Sequence, residues 1–167
     1  AVDLGFAIGP RLNAAGRLDD MSYGIACLLE DNYDAALQKA HDLDSYNKER
    51  RVIEAQMQEK AFDILDNLSL DDEGIFGLCL YEPSWHEGVV GLVASRVKER
   101  YFRPVIVFAK TESGDLKGSA RSIPGLHIRD ALARVATFHP GLLTKFGGHS
   151  MAAGMSLAEE NYEAFSK

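Results

Sequence analysis

Apolar residues recur at steps of three and four positions through residues 32–73, a segment that contains neither glycine nor proline. This spacing places the apolar side chains on one face of an α-helix. It predicts one long helix, or a short helix and a long one with a break near Asp44 and Ser45. A narrow apolar stripe is typical of a helix that bridges two domains, and an ordinary bundle helix is the alternative. The stripe consists of Leu43, Tyr46, Ile53, Met57, Ala61, Ile64 and Leu68.

The pattern changes after Gly74 to short apolar runs, several of them β-branched, that alternate with amphipathic segments. Runs of this length and composition predict buried strands. Strands are expected at residues 75–81, 104–109, 116–121 and 150–157, and helices at 88–101 and 127–138. Strands that alternate with helices indicate the α/β class, here a small mixed β-sheet domain with flanking helices over residues 74–167.

The start of the chain is punctuated by glycine and proline, so residues 9–17 are expected to be largely loop or turn. A short amphipathic helix is predicted over residues 21–30. Its apolar face consists of Met21, Ile25, Leu28 and Leu29. The chain does not begin with methionine, and the apolar residues 6–8 have no evident partner. These features suggest a piece excised from a longer protein.

Composition indicates a folded protein with no membrane partner. The chain has 167 residues, of which 46% are hydrophobic and 26% charged. This profile excludes a disordered tail, a collagen-like fibre and a coiled-coil rod. No apolar run approaches the ~20 residues that span a bilayer, and no signal peptide is evident. Cys27 and Cys79 lie in apolar contexts and are expected to be reduced core thiols, which favours a cytoplasmic protein.

Charge is unevenly distributed along the chain. The net charge is −7, yet residues 87–150 carry 10 Lys and Arg against 5 Asp and Glu. Residues 1–70 carry 7 basic against 13 acidic residues. One basic block in an acidic chain favours a local anion site, and chance variation on a solvated surface is the alternative.

Two motifs in the basic block carry residues suited to phosphate. Ser119 and Arg121 are two positions apart on a predicted strand and therefore point to the same face. Arginine offers a bidentate fork that matches phosphate, and serine adds a neutral donor. Gly147 and Gly148 precede His149, so the backbone there can approach a ligand closely, and the histidine can donate to a phosphate oxygen. The alternative is a glycine-rich turn with a polar histidine at its exit.

A third motif, Trp85-His86-Glu87-Gly88, precedes a predicted helix N-terminus, where unpaired N–H groups bind anions. The alternative is that Glu87 offsets the helix dipole and Trp85 packs in the core. No other histidine lies at ligand spacing from His86, so no metal site is predicted there.

The motifs occur in a specific order. It runs Gly-Pro-Arg-Leu-Asn-Ala-Ala-Gly-Arg, Trp-His-Glu-Gly-Val-Val-Gly-Leu-Val-Ala-Ser-Arg, Gly-Ser-Ala-Arg-Ser and Gly-Gly-His-x-x-Ala-Ala-Gly. In this order they closely resemble the RecJ family of bacterial single-strand-specific exonucleases, within the DHH phosphoesterase superfamily. The resemblance implies that residues 1–33 end the DHH catalytic domain and 34–73 form the connecting helix or helices. Residues 74–167 would be the DHH-associated domain, whose Gly-Gly-His loop faces the metal centre across a cleft.

The resemblance also implies roles for individual residues. Ser119 and Arg121, with Arg11 or Arg17, would hold the 5′ phosphate of single-stranded DNA. His149 would contact the phosphate near the metals. The implied substrate-binding set is completed by Ser122, Gly147, Gly148, Trp85 and His86.

The family's Asp-His-His metal motif does not occur in this sequence. The resemblance implies hydrolysis with two Mn²⁺ or Mg²⁺ ions whose ligands are absent here, so the chain alone is expected to be inactive.

The resemblance implies part of a 5′ to 3′ single-stranded-DNA exonuclease of DNA repair and recombination. Expected partners are single-stranded DNA, a single-strand-binding protein and a helicase. A related DHH-family phosphoesterase that acts on nanoRNA or a cyclic dinucleotide is one alternative. A non-catalytic nucleic-acid-binding module is the other.

Overall fold

The computed structural model describes residues 2–68 and 76–167. The chain divides into two compact units, Ala1–Ala55 and Gln56–Lys167. None of the helices in the described part of the chain is long and apolar enough to cross a bilayer.

The first unit begins with a π-helical segment, Asp3–Ile8, and continues into helix α1, Gly9–Leu18. The prediction of a loop over residues 9–17 is therefore wrong. Pro10 lies in the first turn of α1, where a missing N–H costs nothing and the fixed φ favours the helix. Gly16 is accommodated because it packs against Met21, whose Cε would be 2.7 Å from a Cβ at this position.

Helix α2, Met21–Leu28, confirms the predicted short helix. The Asp20 carboxylate caps it by accepting a hydrogen bond from the backbone N–H of Ser22 at 2.9 Å. Its predicted apolar face is largely exposed, as are the side chains of residues 6–8. Among the described residues, the side chains left exposed include Phe6, Ile8, Met21, Ile25, Leu28 and Leu29.

Helix α3, Tyr33–Asp66, is one continuous helix of 34 residues. Of the two predicted alternatives the single helix is confirmed, and the break near Asp44 and Ser45 is absent. The boundary between the two units falls inside this helix, so α3 contributes residues to both. The segment boundaries predicted at residues 33 and 73 stay predictions, and residues 69–75 lie outside the described ones.

The second unit contains a five-stranded mixed sheet in the order β1-β2-β3-β5-β4. Strands β1 and β2 are parallel, and the other neighbours are antiparallel. The strands are β1 (Leu78–Tyr81), β2 (Val105–Lys110), β3 (Leu116–Arg121), β4 (Lys145–Gly148) and β5 (Ala152–Leu157). The mixed α/β class and the four predicted strands are confirmed, although the first begins at Leu78 and the last at Ala152, later than predicted, and residue 75 lies outside the described residues. Strand β4 was not predicted, because the Gly-Gly segment was interpreted as a loop.

Helices cover the two faces of this sheet. Helix α4, Val90–Tyr101, packs across β2 and β3, while α5, Ile128–Phe138, packs on β4 and β5. A 3₁₀ turn at Glu159–Asn161 and the short helix α6, Tyr162–Ser166, end the chain. The core on the α5 face includes Phe108, Leu116, Ala120, Leu132 and Leu157. Helix α4 covers β2 and β3 on the other face of the sheet. The parts of β5 and β4 on that same face line a cavity.

Both cysteines are free thiols and both are half-buried. Burial raises the pKa of the Cys79 thiol to about 12. The thiolate is the reactive form, so Cys79 is almost wholly unreactive near neutral pH.

We therefore expect iodoacetamide at pH 8 to label Cys79 at least about a hundredfold more slowly in the native chain than in guanidinium chloride. Peptide mass spectrometry would follow Cys79 and Cys27 separately in one sample. Equal rates for Cys79 in the native and denatured chain would show that β1 does not protect it.

Candidate functional site

The α4 face of strands β3, β5 and β4 carries an open cavity of about 420 Å³, which we call the sheet cleft. Its lining includes Glu87, Lys117, Ser119, Lys145, Gly147 and Gly154. The strand register aligns these residues in rows. Ser119 pairs with Gly154, which pairs with Gly147. Lys117 pairs with Ser156, which pairs with Lys145.

Ser119 and Arg121 lie on the same face of β3, as the alternation of a strand predicts. Both pack against Gly91 of α4. A Cβ at Gly91 would lie 2.9 Å from Nη2 of Arg121 and 3.1 Å from Oγ of Ser119. Glycine at this position therefore lets the helix approach the two side chains closely. Sequence reasoning missed Gly91, although a glycine inside a dense run of valines was the available signal.

The Arg121 guanidinium is held in place by neighbouring groups. Its Nε donates to Oγ of Ser95 at 3.2 Å, and its Nη1 donates to the carbonyl of Ala120 at 2.8 Å. The side chain is half-buried. Partial burial beside the cleft strengthens a charge-assisted hydrogen bond to an anion, because less water competes for the donor.

The two glycines before His149 differ in whether the structure requires glycine at that position. Gly148 has a φ of 145°, and a Cβ there would lie 2.4 Å from Cα of Ala153. No side chain fits at this position. Gly147 has nothing within 4 Å of such a Cβ, and Gly154 has only the carbonyl of Gly118 at 3.9 Å. Packing therefore requires neither Gly147 nor Gly154, yet together they leave the part of the cleft floor next to Ser119 without side chains.

His149 directly follows β4 and is exposed. Its backbone N–H donates to the carbonyl of Ala152 at 2.8 Å, which extends the pairing of β4 with β5 by one bond. Ala152 in turn pairs with Arg121. The expected loop is therefore wrong for residues 147 and 148, which belong to an edge strand, and His149 lies at the end of that strand.

Two predicted substrate contacts are buried and need correction. Trp85 is 3% exposed and Ser122 is 0% exposed. The Ser122 hydroxyl donates to the carbonyl of Leu126 at 2.8 Å and so fixes the turn after β3. Neither side chain reaches a ligand from inside the fold, so both are structural residues. For Trp85, this agrees with the alternative that it packs in the core.

His86 is half-buried and organises the turn that leads into α4. Its Nδ1 accepts a hydrogen bond from the backbone N–H of Gly88 at 3.1 Å. Helix α4 begins at Val90, two residues later than predicted. Glu87 forms an ion pair with Lys117 at 2.8 Å across the sheet cleft.

Arg11 and Arg17 belong to the first unit. The Arg11 guanidinium binds the Asp44 carboxylate at 2.7 Å and donates to the carbonyl of Ala7 at 2.7 Å. Hydrogen bonds from Lys48 and then Arg11 hold the pKa of the Asp44 carboxyl below its usual value. Arg17 lies in the last turn of α1. The phosphate contact of either arginine stays a prediction.

Within residues 2–68 and 76–167, no three His, Cys, Asp or Glu side chains converge in a way that could hold a metal ion. These described residues do not fit a Mn²⁺ or Mg²⁺ centre.

Comparison with known proteins confirms the resemblance seen in the motifs. The chain is 57% identical over 166 residues to the single-stranded-DNA-specific exonuclease RecJ of Dickeya dadantii, and 55% identical to that of Escherichia coli. Each alignment covers 99% of this chain and 29% of the relative. The chain thus spans under a third of the length of these curated relatives.

Solved structures agree with the sequence comparison. RecJ from Thermus thermophilus in complex with Mg²⁺ matches 98% of this chain with a TM-score of 0.82 and 34% identity, over 24% of its own length. An exonuclease RecJ bound to manganese matches with a TM-score of 0.78, over 39% of its length. The model of the DHHA1 domain matches residues 74–167, which is more than half of the chain. The chain therefore belongs to the DHHA1 domain family.

Proposed function

We propose that this chain forms the substrate-binding side of a 5′ to 3′ single-stranded-DNA exonuclease. One observation carries the proposal: Ser119 lines a cleft in which the residues paired across its row, Gly154 and Gly147, are glycines, and a positioned Arg121 lies on the same face of β3. This arrangement suits the phosphate backbone of a single strand. The proposal keeps the division into the end of a DHH domain (1–33), a connecting helix (34–73) and a DHH-associated domain (74–167).

The chemistry of the sheet cleft supports phosphate as the ligand. Arg121 supplies a planar donor fork, and Ser119 supplies a hydroxyl on the same face. Gly147 and Gly154 allow the sugar-phosphate chain to approach the backbone of the sheet. Lys117 and Lys145 add positive charge at one end, which attracts a polyanion.

His149 is proposed to donate to the phosphate under attack and so to stabilise the charge that develops on its oxygens. The Mn²⁺ or Mg²⁺ of the relatives would bind groups other than the side chains that the structure describes here, since none of these converge as a metal site. The isolated chain is therefore proposed to bind strands without cleaving them.

Relatives favour DNA over the smaller substrates considered above. Those described above are named single-stranded-DNA-specific exonucleases. This supports a DNA strand in preference to nanoRNA or a cyclic dinucleotide. The proposal extends to a cytoplasmic role in DNA repair and recombination, with a single-strand-binding protein and a helicase as partners.

The test is Arg121→Ala in the full-length protein. A charge-assisted contact to phosphate is worth roughly 1.5–3 kcal/mol, so affinity for a 5′-phosphorylated strand should fall about ten- to a hundredfold. Fluorescence anisotropy with 5′-phosphorylated and 5′-hydroxyl strands of one sequence would measure the loss. Arg96→Ala is the matched control, because Arg96 lies on the exposed side of α4 in an ion pair with Glu99.

We expect the loss to be confined to the phosphorylated strand and the control to bind both strands normally. An equal loss for both strands would instead make Arg121 a contact to internal phosphates. No loss for either strand would contradict the proposed site.

A further inference from the structure

The sheet cleft contains one cationic row, which lies apart from the proposed terminal-phosphate site of Ser119 and Arg121. Lys117 on β3 and Lys145 on β4 flank Ser156 on β5, and the register places all three in one row. All three residues line the same open cleft as Ser119. Two ammonium groups and a hydroxyl on one open surface form a donor set that suits an anion.

The spacing between the rows suits successive phosphates. Lys117 and Ser119 are two residues apart on one strand, which separates their rows by about 6.7 Å. This distance is comparable with the separation of neighbouring phosphates in an extended single strand. The glycine pair of Gly147 and Gly154 occupies the row next to the lysines, so no side chain rises from the floor there to block a backbone.

The two lysines differ in their present partners. Lys117 is paired with the Glu87 carboxylate at 2.8 Å. Within the described residues, Lys145 forms no ion pair with a carboxylate. Glu87 lies on the segment that leads into α4 and also lines the cleft. Its carboxylate therefore occupies the position beside Lys117 that an anionic ligand in the cleft would take.

We propose that Lys117 and Lys145 form a second phosphate subsite one row from Ser119 and two rows from Arg121, with Glu87 as an internal competitor for Lys117. The inference rests on the proposed function, since it assumes a phosphate at Ser119 and Arg121. The second phosphate is either a phosphodiester of the strand other than the one under attack near His149, or a further phosphate of a 5′-polyphosphate end.

Calorimetric titration of the 167-residue chain with three probes separates these sources. The probes are thymidine 5′-monophosphate, 5′-phosphorylated trithymidylate and thymidine 5′-triphosphate. Lys117→Met and Lys145→Met should each weaken binding of one of the two probes that carry several phosphates, about three- to tenfold, and leave binding of the monophosphate unchanged. Loss on the trithymidylate identifies the phosphodiester, and loss on the triphosphate identifies the polyphosphate end.

Glu87→Gln should act in the opposite direction and strengthen the same probe, because it releases Lys117. Lys110→Met is the matched control. Lys110 is also ion-paired, with Glu159, and lies on β2 outside the sheet cleft. Affinity for a longer 5′-phosphorylated strand falls as salt rises, so log affinity against log salt has a negative slope. Each lysine variant should make this slope less steep by about 0.7.

The outcomes distinguish this inference from the proposed function. Suppose that wild type binds 5′-phosphorylated strands and that Arg121→Ala weakens this binding. If neither lysine variant then weakens binding of either probe that carries several phosphates, the second subsite is wrong and the proposed function stands. Weakening by Glu87→Gln would also contradict the competitor role. Failure of the wild-type chain to bind any phosphorylated strand would overturn both.

Discussion

Gly148→Ala should destabilise the second unit by about 3 kcal/mol or more, through backbone strain and steric overlap together. The residue has a φ of 145°, where side chains are rarely tolerated. The new Cβ would lie 2.4 Å from Cα of Ala153 and 2.5 Å from the carbonyl oxygen of Ala152. Both are backbone atoms of the neighbouring strand, so a rotamer change cannot relieve the contact. Denaturant unfolding of wild type and variant measures the change in free energy of unfolding.

The adjacent Gly147→Ala is the matched control. Nothing lies within 4 Å of its Cβ, so the stability change should stay within about 1 kcal/mol. Its added methyl group projects from the floor of the sheet cleft and should weaken binding of single-stranded DNA. Similar destabilisation by both substitutions would show that β4 does not pair with β5 as described.

His149→Ala should lower turnover of the full-length protein about 10²–10³-fold, by analogy with the loss of one oxyanion-hole donor. Affinity for the strand should change much less, because a donor aimed at developing charge acts mainly in the transition state. Single-turnover cleavage of a 5′-phosphorylated strand gives the rate, and binding without cleavage gives the affinity.

A structural role for His149 has a different signature. It would lower the melting temperature and leave turnover nearly normal in the folded fraction. His139→Ala is the control, because His139 is also exposed and lies at the end of α5. Unchanged turnover for His149→Ala would remove this residue from the site.

The strands of the second unit were predictable wherever apolar or alternating side chains mark a strand in the sequence. Strand β3 has the bounds that the sequence predicts, before the turn at residues 123–125, and its alternate residues are buried. Strand β4 was missed because it has one apolar side chain, Phe146, beside two glycines. Its pairing with β5 decides its structure, and that pairing is not a local property of the sequence.

Helix α1 was missed for a related reason. Glycine and proline weaken a helix on average, but position decides their effect. Pro10 lies in the first turn, and Gly16 packs against the next helix, so neither interrupts α1.

The arrangement of the site residues was predictable where the geometry of a strand fixes the direction of their side chains. The common face of Ser119 and Arg121 follows from a two-residue period and was confirmed. Burial of Trp85 and Ser122 depends on how the turns pack over the sheet, which the sequence alone does not specify. Gly91 acts on β3 from another element, so its role became visible only in three dimensions.

The central claim is that single-stranded DNA binds in the sheet cleft. Amide chemical-shift mapping of the 167-residue chain, titrated with a 5′-phosphorylated oligothymidylate, tests it most directly. We predict the largest shifts at Ser119, Gly147 and Gly154, and small shifts along α5, which packs on the opposite face. Shifts concentrated on α5, or absent from the cleft at saturating strand, would contradict the account.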